Sequence, residues 1–258
     1  MLEVALVAAL AIASQAASAD LQYGTTGEDI YRIESTGTFT RVSYAGTERL
    51  SIAREGTSVR FAASAQYTRQ GPDGKTRGEA RFVQVLQPNG SFVDRVDNDP
   101  DFLTILNQPF AVWIDGPTMR DLRAMRGRVP FSAASPLGDA TLLQGYLRPG
   151  VAGPIDGNPT VAVRFEAQGP MSGTLPGYAD ATVSGTMRMD GTAYYALNGA
   201  HLLAFSVTLT LDARLAQGRP AVSVPVRITY RRSMRATSRT PPPVPLATGG
   251  GTVAPATP

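Results

Sequence analysis

Histidine occurs once in the 258 residues, at His201, and cysteine does not occur at all. Those two counts remove most nucleophilic and metal chemistry. A serine hydrolase needs an imidazole base, yet His201 follows the turn dipeptide Asn198-Gly199 at the start of a predicted strand, and no G-x-S-x-G exists. The nearest run, Gly169-Pro170-Met171-Ser172-Gly173, places its serine one position late. A turn-proximal, partly exposed histidine is the plainer reading of His201. Without cysteine there is no disulfide, no thiolate nucleophile and no Cys-ligated metal, and one histidine leaves the usual zinc sets incomplete. Asp97, Asp99 and Asp101 alternate as in a calcium loop, but the glycine and glutamate that such a loop requires are here Phe102 and Gln108. Those aspartates serve more economically as the cap and dipole partners of a helix N-terminus. Neither the Walker spacing nor a G-x-G-x-x-G after a strand is present. A carboxylate pair of the glycosidase kind does not show itself in sequence spacing. Its candidates are Glu34, Glu79 and Glu166, in or beside predicted strands, for which a surface position is the default. No catalytic residue, metal or cofactor is assigned.

What remains is a concentration of large apolar side chains. Phe102, Leu106, Phe110, Trp113, Met119, Leu122, Met125 and Phe131 fall within about thirty residues and include the only tryptophan. Such a stripe is what any amphipathic helix shows, so one reading has it filling a core between helices and sheet. The other has it lining or covering a cavity, where Met and aromatic residues suit an acyl chain or another apolar ligand.

The elements that position this segment are mostly strands. Val207, Leu209, Leu211, Ala213 and Leu215 share one parity against Ser206, Thr208, Thr210, Asp212 and Arg214. Val222, Val224, Val226, Ile228 and Tyr230 repeat the pattern. Alternation of this kind marks strands with one buried and one wet face. The linker Gln217-Gly218-Arg219-Pro220, with Asp190-Gly191 and Asn198-Gly199, divides residues 178 to 232 into a predicted meander of four strands. Pro225 would cost a ladder hydrogen bond, which predicts an edge strand or a bulge there. From Tyr31 to Arg95 the chain reads as further strands, with turns at Ala45-Gly46, Glu55-Gly56, Pro72-Asp73-Gly74 and Pro88-Asn89-Gly90. Two short helices are predicted between Asp97 and Arg128. The first opens at Asp99-Pro100 and ends near Gln108-Pro109; the second opens at Thr118 and closes at Gly127. Residues 129 to 158 read as a long Gly- and Pro-rich connection with one strand around 141 to 147, and Thr160 to Ala167 resumes the sheet.

The chain ends differ from this body. Val4 to Ala13 is an apolar run, and Ala17-Ser18-Ala19 before Asp20 fits a secretory signal peptide over residues 1–19. Its n-region carries Glu3 and no Lys or Arg, which a start further upstream would explain. The run is too short to span a bilayer. The expected mature protein is exported, periplasmic or secreted, and not membrane-spanning. Residues 20–235 form one β-rich domain. Residues 236–258, rich in Pro, Thr, Ala and Gly, bury too little to offset their ordering entropy and are predicted to be disordered. Without residues 1–19, 24 basic residues face 20 acidic ones, a mild +4, and 23 of the 24 are arginine. Those arginines fall mostly on the polar parity of strands, so nucleic acid is not an expected partner.

The expected fold is mainly β: a large, curved antiparallel sheet, half-barrel-like, with two short helices packed on one face. In its strand–helix–strand order, and as an exported, cysteine-free chain, it is similar to the half-barrel of periplasmic lipoprotein carriers. There helices plug an incomplete barrel that holds acyl chains. Two functions from different classes stay open. One is a non-enzymatic envelope protein that binds a lipid or other apolar molecule in a sheet–helix cleft. The other is a structural or interaction protein that meets a protein partner through its sheet surface or Pro-rich tail. A carboxylate hydrolase stands behind both.

Overall fold

A period of two marks most of the strand segments, and the described chain folds accordingly. The computed structural model describes residues 19–87, 92–97, 128–134, 142–151, 153–175, 178–197, 201–218 and 222–237. Within them lie eleven strands. The first five are β1 (Ala19–Ile33), β2 (Phe39–Glu55), β3 (Ser58–Gly71), β4 (Gly74–Leu86) and β5 (Phe92–Asp97). The others are β6 (Val129–Ala134), β7 (Leu142–Pro149), β8 (Thr160–Leu175), β9 (Tyr178–Ala196), β10 (Leu202–Gln217) and β11 (Val222–Ala236).

All eleven belong to one sheet, in the order β5-β4-β3-β2-β1-β11-β10-β9-β8-β7-β6. Every ladder is antiparallel. Two meanders thus run outward from a shared centre. The seam is the β1–β11 ladder, where Tyr23 to Ile33 pair with Ala236 to Val226. The first and last strands are therefore central, while β5 and β6 occupy opposite edges. No pairing joins those edges among the described residues, so the sheet is not closed.

No helix occurs among the described residues. The two expected helices lie outside them, and so do Phe102, Leu106, Phe110, Trp113, Met119, Leu122 and Met125. The signal segment to residue 18 and the tail from residue 238 lie outside as well. Among the described residues, no helix is long and apolar enough to cross a membrane.

One face of the sheet is buried from β4 through the centre to β7, with Val129 and Phe131 of β6 half-buried beside it. On β3, Val59, Phe61, Ala63 and Ala65 are buried and alternate with exposed or half-buried neighbours. The register carries this parity sideways. Leu209 lies between Tyr230 and Met189, and Met189 lies against Ala167; all four are buried. We call this the inner face. The outer face is polar, with ion pairs such as Arg227–Asp212 at 2.6 Å and Arg231–Glu28 at 2.8 Å.

Several expected boundaries are corrected. Asp190-Gly191 does not turn the chain: both lie inside β9, so residues 178 to 236 form three long strands rather than four short ones in 178 to 232. Ala45-Gly46 likewise lies inside β2. Both glycines sit directly opposite an aromatic residue, Gly191 opposite Phe165 and Gly46 opposite Tyr67. At Gly191 an added β-carbon would meet the Phe165 ring at 2.3 Å, and at Gly46 it would meet the Gln66 carbonyl oxygen at 2.3 Å and Tyr67 Cα at 2.7 Å, so a close approach of the neighbouring strand gives each glycine a use in mid-strand. The turns at Gly56, Gly74 and Gly218 do form, each with the glycine at positive φ. Residues 129 to 158 hold two strands, β6 and β7, instead of one.

Pro225 lies in a central strand, and the β10–β11 register runs past it without a shift, pairing it with Arg214. Its carbonyl accepts from the amide of Glu34 at 3.2 Å, just beyond the end of β1. The polar groups of one strand residue point to the same side. The missing N–H of Pro225 therefore faces β1 at its last rung, opposite Glu34, and the ladder to β10 is untouched. Finally, β1 itself was not legible. Its inner parity reads Leu21, Tyr23, Thr25, Gly27, Asp29, Tyr31 and Ile33, too polar for the alternation that betrays a buried strand.

Candidate functional site: the inner face of the sheet

The polar residues of β1 are the reason to look at the inner face. Asp29 and Arg232 are both fully buried, and Arg232 Nη1 donates to Asp29 Oδ1 at 2.5 Å. Tyr44 donates its hydroxyl to the other carboxylate oxygen at 2.8 Å. The Arg232 guanidinium also lies over the Tyr44 ring at 4.7 Å and near the Tyr230 ring at 5.8 Å. Gly27 makes the arrangement possible. A β-carbon there would stand 2.8 Å from Arg232 Cδ, so the arginine crosses the sheet where β1 has no side chain.

Burial raises the Asp29 carboxyl above the usual carboxylate range, against the opposing pull of Arg232, of the Arg232 and Tyr44 hydrogen bonds and of Arg69. Burial, then the charge and hydrogen bond of Asp29, raise the Tyr44 phenol, which stays a neutral donor. A second buried acid, Glu48, sits directly across from Tyr23. Tyr23 gives its hydroxyl to the Leu202 carbonyl at 3.1 Å, and burial followed by Glu48 keeps it protonated. Thr25, between these groups on β1, has its buried hydroxyl without a hydrogen-bond partner.

The inner face therefore has two zones. Strands β1, β2 and β11 supply tyrosines and buried charge. Strands β6 to β10 supply Met and Phe. Phe131 stacks edge-on against Phe165, with centroids 6.4 Å apart, and Phe165 lies nearly parallel to Phe205 at 5.6 Å. Gly191 on the intervening strand leaves the space, since a β-carbon there would meet the Phe165 ring at 2.3 Å. Met171, Met187, Met189 and Met234 are buried on the same face.

Of the eight apolar residues singled out by sequence, only Phe131 is described, half-buried on β6 and packed against the core. Sequence reasoning missed Asp29, Arg232, Tyr44 and the four methionines. The methionines had a visible signal, since each lies on the apolar parity of a strand. Asp29 had none, because an aspartate at an inward position reads as a reason to doubt the strand.

The residues tested for catalysis are not assembled. Glu79 lies on β4 and Glu166 on β8, seven strands apart in the sheet, while Glu34 sits in the turn after β1. Glu166 is exposed and ion-paired with Arg148. His201 forms an isolated bridge position before β10, and its carbonyl accepts from the Ala196 amide at 2.9 Å. Its Nδ1 is buried without a hydrogen-bond partner, and burial alone lowers its pKa. Among the described residues no acid hydrogen-bonds the imidazole, as the third member of a triad would. Ser172 lies inside β8, not on a strand-to-helix turn. No group of three or more potential metal ligands occurs among the described residues.

No family model matches this chain, and no curated protein matches its sequence.

Proposed function

We propose that the protein is a non-enzymatic envelope protein that holds a lipid or other apolar molecule against the inner face of the sheet. In this reading the chain is exported, and residues 98–127 form the two short helices that cover that face. The ligand lies between Phe102, Leu106, Phe110, Trp113, Met119, Leu122 and Met125 on the cover and Phe131, Phe165, Phe205 and the methionines on the sheet.

The observation that carries the reading is topological. An unclosed sheet presents one largely apolar face with buried charge near its centre, and its two edge strands are consecutive in sequence. The segment that joins them must pass from one edge to the other, and it is the segment richest in large apolar side chains. Methionine side chains adapt to ligands of irregular shape, and apolar pockets with a few polar groups are the common form of small-molecule sites. The charge on the inner face gives such a pocket a polar end.

The single tryptophan makes the test direct. Residues 20–258, purified from a periplasm without detergent, are compared by native and denaturing mass spectrometry, and the sample is extracted with organic solvent. A stoichiometric apolar ligand is expected, lost on Trp113→Ala. Stearic acid brominated along its chain should quench Trp113 emission in the emptied protein, whereas a water-soluble quencher such as iodide should do so poorly. A ligand-free native mass together with unquenched emission would overturn the proposal.

A further inference from the structure

The outer face carries a second feature that the inner-face reading does not use. Across β7 to β11 it is hollowed into two adjoining clefts, of about 650 Å³ and about 390 Å³, which share Glu166 and Asp190 in their walls. The register explains what they present. On the β8–β9 ladder, Arg164 pairs with Thr192, Glu166 with Asp190, and Gln168 with Arg188. These pairs follow at two-residue steps of about 7 Å, the repeat along one strand face. Two arginines thus bracket a pair of carboxylates. Arg148 and Arg231 border the larger cleft and Arg128 the smaller, so five arginines, four of them exposed, face two carboxylates. Arg148 is held by Glu166 and Arg231 by Glu28. Among the described residues Arg164 and Arg188 have no ion pair with a carboxylate, and Asp190 has none with a basic side chain. The hydroxyls of Thr192, Ser206 and Thr208 complete the lining.

We propose that this double cleft binds an anionic oligosaccharide, a short sugar chain that carries carboxylate or phosphate groups. The surplus of guanidinium groups calls for an anion, because each offers paired donors that match a carboxylate or phosphate. Glu166 and Asp190, at the centre, are acceptors for sugar hydroxyls and would repel an unbroken line of phosphates. Tyr146, 42 % exposed and with Arg128 over its ring at 5.4 Å, offers one flat surface at the end of the cleft. A single-stranded nucleic acid would want a succession of such rings. A protein partner would want exposed apolar anchors, whereas Phe165, Val207 and Met189, which border the clefts, are buried on the inner face.

Calorimetric titration of the full mature chain at low salt tests this, with oligogalacturonate as probe, its methyl-esterified form as the neutral counterpart and an oligothymidylate as the alternative polyanion. Oligogalacturonate should bind and the ester should not. Arg164→Gln combined with Arg188→Gln should weaken binding about tenfold or more, the scale of two charge-assisted contacts. Arg49→Gln with Arg77→Gln removes the same charge from the outer face of β2 and β4 and should leave the affinity unchanged. Thermal melts of both variants check that the fold persists. Absence of oligogalacturonate binding, equal binding of the ester, tighter binding of the oligothymidylate, or equal loss in the two arginine pairs would each overturn the proposal.

Discussion

Asp29 and Arg232 show how a buried pair can be necessary to this fold without being a source of net stability. Removing two charges from water costs several kcal/mol each, and the contact returns that only while both partners remain. Asp29→Asn or Arg232→Met alone should therefore lower unfolding stability by about 3–5 kcal/mol. The double change Asp29→Leu with Arg232→Met should recover much of that loss, read as the urea midpoint at unchanged m-value. Should the double variant remain as unstable as either single, the pair would be a net stabiliser relative to an apolar replacement, and a loss equal to the sum of the singles would mean that the two residues do not couple. His201 gives an independent prediction because no other histidine titrates. Burial lowers its folded pKa below 6.5, so the unfolded chain binds the proton more readily. Its contribution to stability is fully present above pH 6.5 and is lost as pH falls from there through the folded pKa. Between pH 7 and pH 5, the melting temperature of the protein should fall more than that of His201→Gln, and parallel curves would contradict the depressed pKa.

At the scale of elements, Gly191 decides how β8, β9 and β10 pack. A β-carbon there would stand 2.2 Å from the Ser206 carbonyl oxygen and 2.3 Å from the Phe165 ring. Gly191→Ala should then cost about 1–3 kcal/mol, the range for forcing extra volume into a packed site, measured again by urea unfolding. A neutral result would mean that β9 can shift away from its neighbours. The same residue shows where sequence reading succeeds and fails. Strand alternation was plain in β3, β10 and β11, because most of their inner positions are Val, Leu, Ile, Phe and Ala. The dipeptides at 45–46 and 190–191 look like hairpin turns, since the glycine that lets a neighbouring strand approach closely is the same residue that permits positive φ. Local sequence does not distinguish these uses; only the register, which sets Tyr67 and Phe165 opposite, does so. Pro225 was misjudged for a related reason: its cost depends on which side the absent N–H faces. The inner-face charge was hidden most deeply. Asp29 and Arg232 are 203 residues apart and meet only because the first and last strands pair.

For the whole molecule the governing fact is that consecutive strands β5 and β6 stand at opposite edges. Ten inter-strand spacings make a flat sheet about 48 Å wide. The thirty residues 98–127 would reach about 45 Å as one straight helix and about 100 Å fully extended. Two helices of ten residues each, with ten extended residues between and around them, would reach about 60 Å. Such a crossing fits over a sheet that curves and brings its edges nearer, which is why the cover and the curvature belong to one proposal. Replacing residues 98–127 by a Gly/Ser chain of equal length tests both at once. The replacement keeps the connection while it removes every large apolar side chain from it. If the segment covers the inner face, the variant should bind a hydrophobic dye that the intact protein does not, tend to self-associate, and lose any bound lipid. Far-ultraviolet circular dichroism should still report the sheet, because the β1–β11 seam and both meanders are untouched. A variant that stays monomeric, ignores the dye and unfolds like the parent would show that the inner face is buried by the sheet alone. The apolar stripe from Phe102 to Met125 would then have to serve a partner outside the chain.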